Sequence, residues 1–352
     1  MAVDLGKFVG EVKERIELDE LANQRVAIDA YNTIYQFLSI IRQPDGTPLT
    51  DSKNRMTSHL SGLFYRTISM MEKGIAPIFV FDGVPPAMKR RTIEARMNRR
   101  KEAYAEWQKA KTEGLIEEAR IHAMASTKIN KEIVESAKEL LTYMGIPYIQ
   151  APGEGEAQAA RMVRDKLVYA AASQDYDLFL FGADVVVRNL TITGRRKLPG
   201  KNVYVDVSVE RVFLKKLLEN LQLDRQRLVW IGILVGTDFN SGIEKVGPKT
   251  ALKIVREHET LEDIVSYLEE KYQKNFDVDP KEVEKIFMQP ETTEIRTEEF
   301  EKKMKDAKPD KEALMKFMCN EHDFSEDRIS KFVDKLMGVK QSASQKGINN
   351  WM

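Results

Sequence analysis

The sequence has a single cysteine, Cys319, and four histidines among its 352 residues. One cysteine cannot form a disulfide within the chain or a thiolate metal cluster, which fits a reducing cytosolic or nuclear compartment. The histidines are scattered without the short spacings of zinc ligands, so we expect them to be structural or exposed. No apolar run approaches the roughly 18 residues of a membrane span, and the first residues lack the apolar segment of a signal peptide. We therefore expect a protein without disulfides, zinc or a membrane partner.

The sequence also has no excess charge of either sign, because 55 Lys and Arg residues balance 55 Asp and Glu residues. The distribution is uneven, however. Residues 89–111 contain nine basic residues against three acids, and residues 188–201 contain five basic residues against none. A surface that faces a polyanion would show such separation. Ordinary solvated helix faces explain it equally well, so charge alone leaves both interpretations open.

Four short apolar runs rich in β-branched residues predict buried parallel strands, at residues 25–28, 76–81, 147–150 and 168–172. Helical patterns lie between the first two strands (58–72) and between the last two (154–166). Strands that alternate with helices predict an α/β fold with a mostly parallel central sheet flanked by helices.

The remaining segments of the chain are mainly helical by composition, apart from short extended segments and a turn at residues 198–209. Residues 84–135 are charged and lack a strand, so we interpret them as a helical insertion built from helices at 88–112 and 116–144. From residue 224 the chain is helical almost to residue 340, and residues 341–352 form a polar, flexible tail. We expect residues 1–340 to form a single domain.

Each predicted strand runs into acidic residues at its carboxyl end. These acids are Asp29, Asp82, Glu154, Glu156, Asp175 and Asp177. Because ligands of open α/β sheets bind outside the carboxyl ends of the strands, we expect the six groups to converge on one rim. Each acid alone has a structural explanation, such as a helix cap or a turn. Together they would repel one another and raise one another's pKa values unless cations neutralise them.

The type of ligand predicts the cation and its chemistry. Carboxylates without His or Cys favour Mg²⁺ or Mn²⁺ over Zn²⁺. A site that holds two such ions suits phosphodiester hydrolysis, because the ions activate a water and stabilise charge on the attacking and leaving oxygens. The sequence contains no Gly-rich phosphate loop that would predict a competing chemistry. The residues therefore predict a Mg²⁺-dependent phosphoryl-chemistry site.

Five short blocks of the sequence, in order along the chain, resemble those of the flap endonuclease family of structure-specific 5′ nucleases. They are AIDA (27–30), VFDG with two following prolines (80–86), APGEGEA (151–157), SQDYD (173–177) and GTD (236–238). The similarity runs to about residue 340 and is strongest to archaeal members, which implies a cytoplasmic location. It implies a seventh metal-site carboxylate, Asp238, which lies in a helical region.

The resemblance also implies how the enzyme contacts DNA. The insertion 84–135 is similar to the family's helical arch, under which the single-stranded 5′ end passes. Lys89 and Arg96, two helical turns apart, match the catalytic basic pair that holds the scissile phosphate. Tyr35 matches a position on which a base near the cleavage point stacks, although a core tyrosine is an equally good interpretation without the resemblance.

Residues 224–258 resemble the family's helix–two-turn–helix element. There Gly247 lets the backbone approach a DNA phosphate, and Lys249 adds positive charge. The same turn implies a bound K⁺ held by backbone carbonyls, here of Gly242, Ile243 and Val246. An ordinary helical hairpin loop is the structural alternative.

The last residues of the chain resemble a peptide that binds the sliding clamp PCNA. Its anchors are Gln345, Ile348, Trp351 and Met352, where the final pair departs from the usual two aromatics. Ala2 is another departure, since the family has glycine after the initial methionine.

The resemblance implies a monomeric flap endonuclease that cuts near the junction of single- and double-stranded DNA by two-metal-ion catalysis. It also implies 5′-3′ exonuclease activity and roles in Okazaki fragment maturation and DNA repair. A related 5′ exonuclease or a junction or repair endonuclease would share the same metal site. A phosphatase that used Asp175 and Asp177 would leave four strand-end acids without a role. A catalytically silent, clamp-tethered DNA-binding protein would lack some of the acids, or Lys89 and Arg96, and all are present.

Overall fold

The computed structural model describes residues 3–192, 194–197 and 204–345. The strands are β1 Glu14–Ile16, β2 Arg25–Asp29, β3 Ala76–Phe81, β4 Tyr148–Gln150, β5 Ala170–Ala172, β6 Val185–Arg188, β7 Gly194–Lys197, β8 Tyr204–Val207 and β9 Val209–Phe213. The helices are α1 Gly6–Val12, α2 Ala30–Ile40, α3 Ser58–Glu72, α4 Arg90–Thr112, α5 Ile116–Ala125, α6 Lys131–Tyr143, α7 Gly155–Arg164, α8 Asp177–Leu180, α9 Leu214–Leu221, α10 Arg225–Val235, α11 Pro248–Glu257, α12 Leu261–Tyr272, α13 Pro280–Met288, α14 Thr297–Asp306, α15 Lys311–Met315 and α16 Glu326–Gln345.

Seven strands form the central sheet, in the order β1-β9-β6-β5-β2-β3-β4. Strands β6, β5, β2, β3 and β4 are parallel, whereas β9 runs antiparallel to β6 and to β1. The predicted α/β fold with a mostly parallel sheet is confirmed, and all four predicted strands are present. Strands β1, β6 and β9 were not predicted. The three residues of β1 are too few to show a period, and the buried positions of β9 do not alternate.

Successive side chains along the central strands point to opposite faces of the sheet, so the apolar core is divided between the two faces. In β3, Ile78 and Val80 pack on the face that carries α7 and α10, whereas Phe79 and Phe81 pack on the face that carries α2, α3 and α6. The two sides of the sheet therefore hold separate apolar clusters. Because both faces are covered, ligands can reach this sheet only at its edges or strand ends.

The insertion begins with a helical hairpin of α4 and α5, held by a small cluster of Trp107, Ala110, Ala119 and Ala123. The predicted continuous helix at 116–144 is wrong, because the chain breaks between α5 and α6 at residues 126–130. Asn130 explains the restart, since its side chain accepts the backbone N–H of Ile133 and caps α6. Within the described ranges, no helix is long and apolar enough to cross a membrane.

Candidate active site

Parallel strands bring their carboxyl ends to one edge of the sheet, and the predicted acids lie there. Asp29 is the last residue of β2, and Asp82 follows β3 directly. Residues 151–156 continue from β4, and residues 173–177 continue from β5. All seven predicted carboxylates line one cavity of about 690 Å³: Asp29, Asp82, Glu154, Glu156, Asp175, Asp177 and Asp238. The structure therefore brings the whole predicted set together, including Asp238, which follows α10.

Backbone N–H groups hold three of these carboxylates in place. Asp29 caps α2 by accepting a backbone N–H of its first turn at 3.0 Å. Asp82 accepts the N–H of Gly155 at 2.7 Å, and a Cβ on Gly155 would lie only 2.6 Å from the Asp82 Oδ1 atom. Asp177 accepts the N–H of Val3 at 2.9 Å. The cap at Asp29 thus coexists with a place in the cavity, so the structural interpretation of this acid does not exclude a functional one.

Burial and mutual repulsion make several of these carboxyls weaker acids than usual. Burial, followed by repulsion from neighbouring carboxylates, raises the pKa of Asp29 to about 8, of Asp177 to about 7 and of Asp82 to about 6. The same two causes raise the pKa of Glu156 and of Asp175. An ion that binds here must displace protons from these groups, so cation binding and deprotonation are linked.

Two basic side chains from the start of the insertion reach into the carboxylate cluster. Lys89 Nζ contacts Glu154 and lies 3.4 Å from Asp238, and Arg96 Nη2 lies 2.5 Å from the same carboxylate. The hydroxyl of Thr92 donates to the carbonyl oxygen of Asp238 at 2.7 Å, which ties α4 to this corner of the site. Burial alone would lower the pKa of Lys89, but Glu154 and Asp238 outweigh it and raise this pKa. Burial would raise the pKa of Asp238, but Lys89 and Arg96 outweigh it and lower this pKa.

The donor set fits divalent metal ions. One carboxylate oxygen, Glu156 Oε1, is buried without a hydrogen-bond partner among the described residues. Within that part of the chain, no three acidic, histidine or cysteine side chains form a ready-made metal cluster. Lys89 and Arg96 instead partly neutralise Asp238. Oxygen ligands with an unsatisfied acceptor and raised pKa values are suited to Mg²⁺ or Mn²⁺.

The cavity continues beneath the insertion. Tyr35 on α2 lines it together with Arg99 and Arg100 of α4. The Arg100 guanidinium lies 5.8 Å from the centre of the Tyr35 ring, within the range of a cation–π contact. The half-buried Tyr35 is thus part of the rim as well as of α2. An aromatic face flanked by arginines can bind single-stranded nucleic acid.

The predicted phosphate-binding turn lies outside this cavity. Gly247 caps α11, and apart from its chain neighbours no described residue has an atom within 4 Å of the position that its Cβ would take. Lys249 is exposed in the first turn of α11. The carbonyl of Ile243, one of the predicted K⁺ ligands, accepts the N–H of Val246 at 3.0 Å. The turn therefore presents an open helix N-terminus to solvent.

The predicted clamp-binding anchors fall mainly outside the described residues. Gln345 is the last residue of α16. Ile348, Trp351 and Met352 lie beyond the described part of the chain, as does Ala2.

Sequence reasoning missed Asn32, which also lines the cavity. Its Nδ2 donates to Asp175 at 3.3 Å, and Gln36 donates to its Oδ1 at 2.9 Å. The signal was present in the sequence, because Asn32 lies three residues after Asp29 and three before Tyr35 on one face of a helix.

Comparisons with known proteins agree with this arrangement. Family models match the chain twice, the XPG N-terminal domain over residues 1–103 and the XPG I-region over residues 145–238. The curated Flap endonuclease 1 of Thermococcus onnurineus (strain NA1) is 50% identical over 352 residues, which cover 100% of this chain and 99% of the relative.

Solved structures are similar over nearly the whole chain. Flap endonuclease-1 from Methanococcus jannaschii has a TM-score of 0.73 and 37% identity, covering 96% of this chain and 98% of that one. The catalytic core of Rad2 in complex with DNA substrate has a TM-score of 0.66, covering 96% of this chain and 100% of that one. At 24% identity, this second likeness concerns the fold alone.

Proposed function

This chain belongs to the flap endonuclease family, and on that premise we propose that it cuts 5′-flap DNA near the junction of single and double strands. As a member of that family it is a metal-dependent, DNA-binding nuclease that hydrolyses phosphodiester bonds. The observation that carries the finer proposal is the convergence of seven carboxylates, Lys89 and Arg96 on one cavity beneath a basic helical hairpin.

The carboxylates would hold two Mg²⁺ ions, for which Mn²⁺ could substitute. When bound, the ions would lower the pKa of an attacking water and stabilise charge on the attacking and leaving oxygens. Lys89 and Arg96 already lie at the cluster, where their contacts are to Glu154 and Asp238. From this position both side chains would bind the scissile phosphate and stabilise the charge that develops on it.

The insertion would guide the single-stranded 5′ end. We assign residues 84–135 as the arch, with Arg99 and Arg100 attracting the phosphates of the flap. Tyr35, beside Arg100, would stack on a base next to the cleavage point. Stacking and phosphate contacts do not distinguish bases, so this site would recognise the shape of the substrate rather than its sequence.

The helix–two-turn–helix element, residues 224–258, would hold the duplex. The N-terminus of α11 at Gly247 would bind a backbone phosphate, with Lys249 contributing charge. We propose that a K⁺ ion bound by carbonyls of this turn completes the contact, because a monovalent cation there would neutralise a second phosphate.

The C-terminal anchors Gln345, Ile348, Trp351 and Met352 would bind the sliding clamp PCNA. On this proposal residues 1–340 form one monomeric nuclease domain, and residues 341–352 tether it to the clamp. Such tethering suits Okazaki fragment maturation and DNA repair, in which flaps arise behind a polymerase, and an associated 5′-3′ exonuclease activity would use the same metal site.

The metal site is tested by replacing Asp177 and measuring cleavage and binding separately. We expect Asp177→Ala to abolish cleavage of a labelled 5′ flap in Mg²⁺ while the dissociation constant for the same DNA stays within about threefold. Asp165→Ala is the matched control, because Asp165 is exposed, pairs with Arg161 at 2.7 Å and is not among the residues that line the cavity. Near-normal cleavage by Asp177→Ala would remove this carboxylate from the metal site.

A further inference from the structure

The segment that carries Asp175 and Asp177 has a tyrosine between them that faces away from the cavity. Asp175 and Asp177 line the cavity, whereas Tyr176 is not among its lining residues. The ring of Tyr176 packs on the ring of Phe179, with centroids 6.5 Å apart and planes 21° from parallel. A group that holds Tyr176 on the side away from the cavity therefore also limits where the two flanking carboxylates can lie.

Arg188, at the end of β6, contacts this segment in three ways. Its Nη1 donates to the Tyr176 hydroxyl at 2.8 Å, and its Nη2 donates to the carbonyl of Gln174 at 3.1 Å. Its guanidinium also lies 4.3 Å from the centre of the Tyr176 ring. The contacts fall on the residues immediately before and after Asp175. The Arg188 Nε atom is buried without a partner among the described residues, so the other contacts set the orientation of the guanidinium.

The position of Arg188 is itself fixed by the sheet. Arg188 on β6 and Glu210 on β9 are directly paired in the strand register, and Arg188 Nη1 lies 3.3 Å from Glu210 Oε2. Glu210 also accepts Lys13 Nζ at 2.5 Å. Glu210 carries one negative charge against the two positive charges of Arg188 and Lys13, so the trio stays positive. Arg188 lies outside the cavity lining, and its contacts bear on the geometry of the segment that carries the carboxylates.

We propose that Arg188 is a positioning residue that sets the affinity of the Asp175 and Asp177 carboxylates for divalent cations. The inference rests on the metal site of the proposed function. A guanidinium presents several donors in a rigid plane, whereas a lysine ammonium cannot hold the hydroxyl, the carbonyl and the ring at once. Arg188→Lys therefore keeps the charge but loses the geometry. Removing partners that orient metal ligands typically weakens metal binding by about 10- to 100-fold.

The test measures Mn²⁺ binding to the DNA-free protein by titration calorimetry, together with the Mg²⁺ dependence of flap cleavage. We expect Arg188→Lys to weaken Mn²⁺ binding by about tenfold or more, and to raise the Mg²⁺ concentration at half-maximal rate by a similar factor. The dissociation constant for flap DNA measured without Mg²⁺ should stay within about twofold, because Arg188 does not line the cavity.

Arg211→Lys is the matched control. Arg211 on β9 makes the same kinds of contact, to the carboxylate of Glu14 at 2.9 Å and over the ring of Phe213 at 5.3 Å, but it does not reach the 173–177 segment. We expect its Mn²⁺ affinity to match that of the wild type. An Arg188→Lys variant whose Mn²⁺ affinity equals that of Arg211→Lys would overturn the inference.

Tyr176→Phe provides a second test that keeps the ring and removes only the hydroxyl acceptor of Arg188. It decides the question if Arg188→Lys does not fold. A loss of Mn²⁺ affinity in Tyr176→Phe relative to the wild type supports the inference, and wild-type affinity in Tyr176→Phe would overturn it. A wild-type protein that bound no Mn²⁺ would instead refute the proposed metal site, which distinguishes the failure of the two proposals.

Discussion

Asp177→Asn should stabilise the metal-free protein at alkaline pH, although it removes a residue of the proposed active site. Burial and then the charge of Asp238 raise the pKa of Asp177 from 3.8 to about 7. In the metal-free folded state this carboxyl therefore retains its proton at pH values where the unfolded chain has lost it. The free energy of unfolding then falls as pH rises from about 3.8 to about 7. An asparagine does not titrate, so the free energy of unfolding of the variant does not fall for this reason as pH rises.

The magnitude follows from the size of the pKa change. At about 1.4 kcal/mol per pKa unit, Asp177→Asn should gain roughly 4 kcal/mol at pH 8 and almost nothing at pH 4. For a chain of this length, that gain corresponds to about 5 °C in the melting temperature. The amide oxygen can still accept the Val3 N–H that Asp177 accepts at 2.9 Å, so the substitution removes charge without removing this bond.

The assay is thermal and denaturant unfolding in EDTA between pH 4 and pH 8, repeated at saturating Mg²⁺. Mg²⁺ should stabilise the wild type much more than Asp177→Asn, because an ion raises the free energy of unfolding only of a folded protein that binds it. Asp224→Asn is the control, since Asp224 also accepts a backbone N–H but caps α10 instead of lining the cavity. Parallel pH curves for Asp177→Asn and the wild type in EDTA would refute the reasoning.

Two further predictions concern the basic pair and the tail. Lys89→Ala should slow the chemical step by at least about 100-fold while weakening duplex binding by less than about threefold, because Lys89 lies at the start of the arch, where its ammonium contacts a carboxylate of the cluster. Single-turnover rates and binding isotherms measure the two effects, and equal losses would make Lys89 only a phosphate anchor. Deleting residues 345–352 should leave unstimulated cleavage within about twofold and abolish stimulation by PCNA, whereas retained stimulation would leave the tail without the proposed role.

The central strands and their acids could be predicted from the sequence because both follow local rules. Strands β2 and β3 are short runs of apolar residues, and parallel strands must bring their ends to one edge. Asp29 and Asp82 therefore lie close together whatever path the loops after these strands take. No comparable rule marks Asp238, which follows α10 and reaches the cavity through the packing of helices against the sheet. Only the resemblance to a family supplied this residue.

The parts that were missed have different causes. The break between α5 and α6 depends on one local cap at Asn130, and the sequence alone does not show that this cap outweighs the long helical pattern. The contact of Arg188 with Tyr176 joins the end of β6 to the acidic segment after β5, and it depends on the position of β9. In the sequence Arg188 was only the first member of a basic run. Its orientation toward the site appears once the sheet is assembled.

The most direct test of the central claim is the cleavage of a labelled duplex with a 5′ flap and a one-nucleotide 3′ overhang, with and without Mg²⁺. Single-stranded and nicked DNA of the same sequence serve as controls. We predict one Mg²⁺-dependent product that maps near the junction and is absent from the single strand. Binding without cleavage would contradict the assigned catalytic site, and equal cleavage of every substrate would contradict the selectivity for flaps.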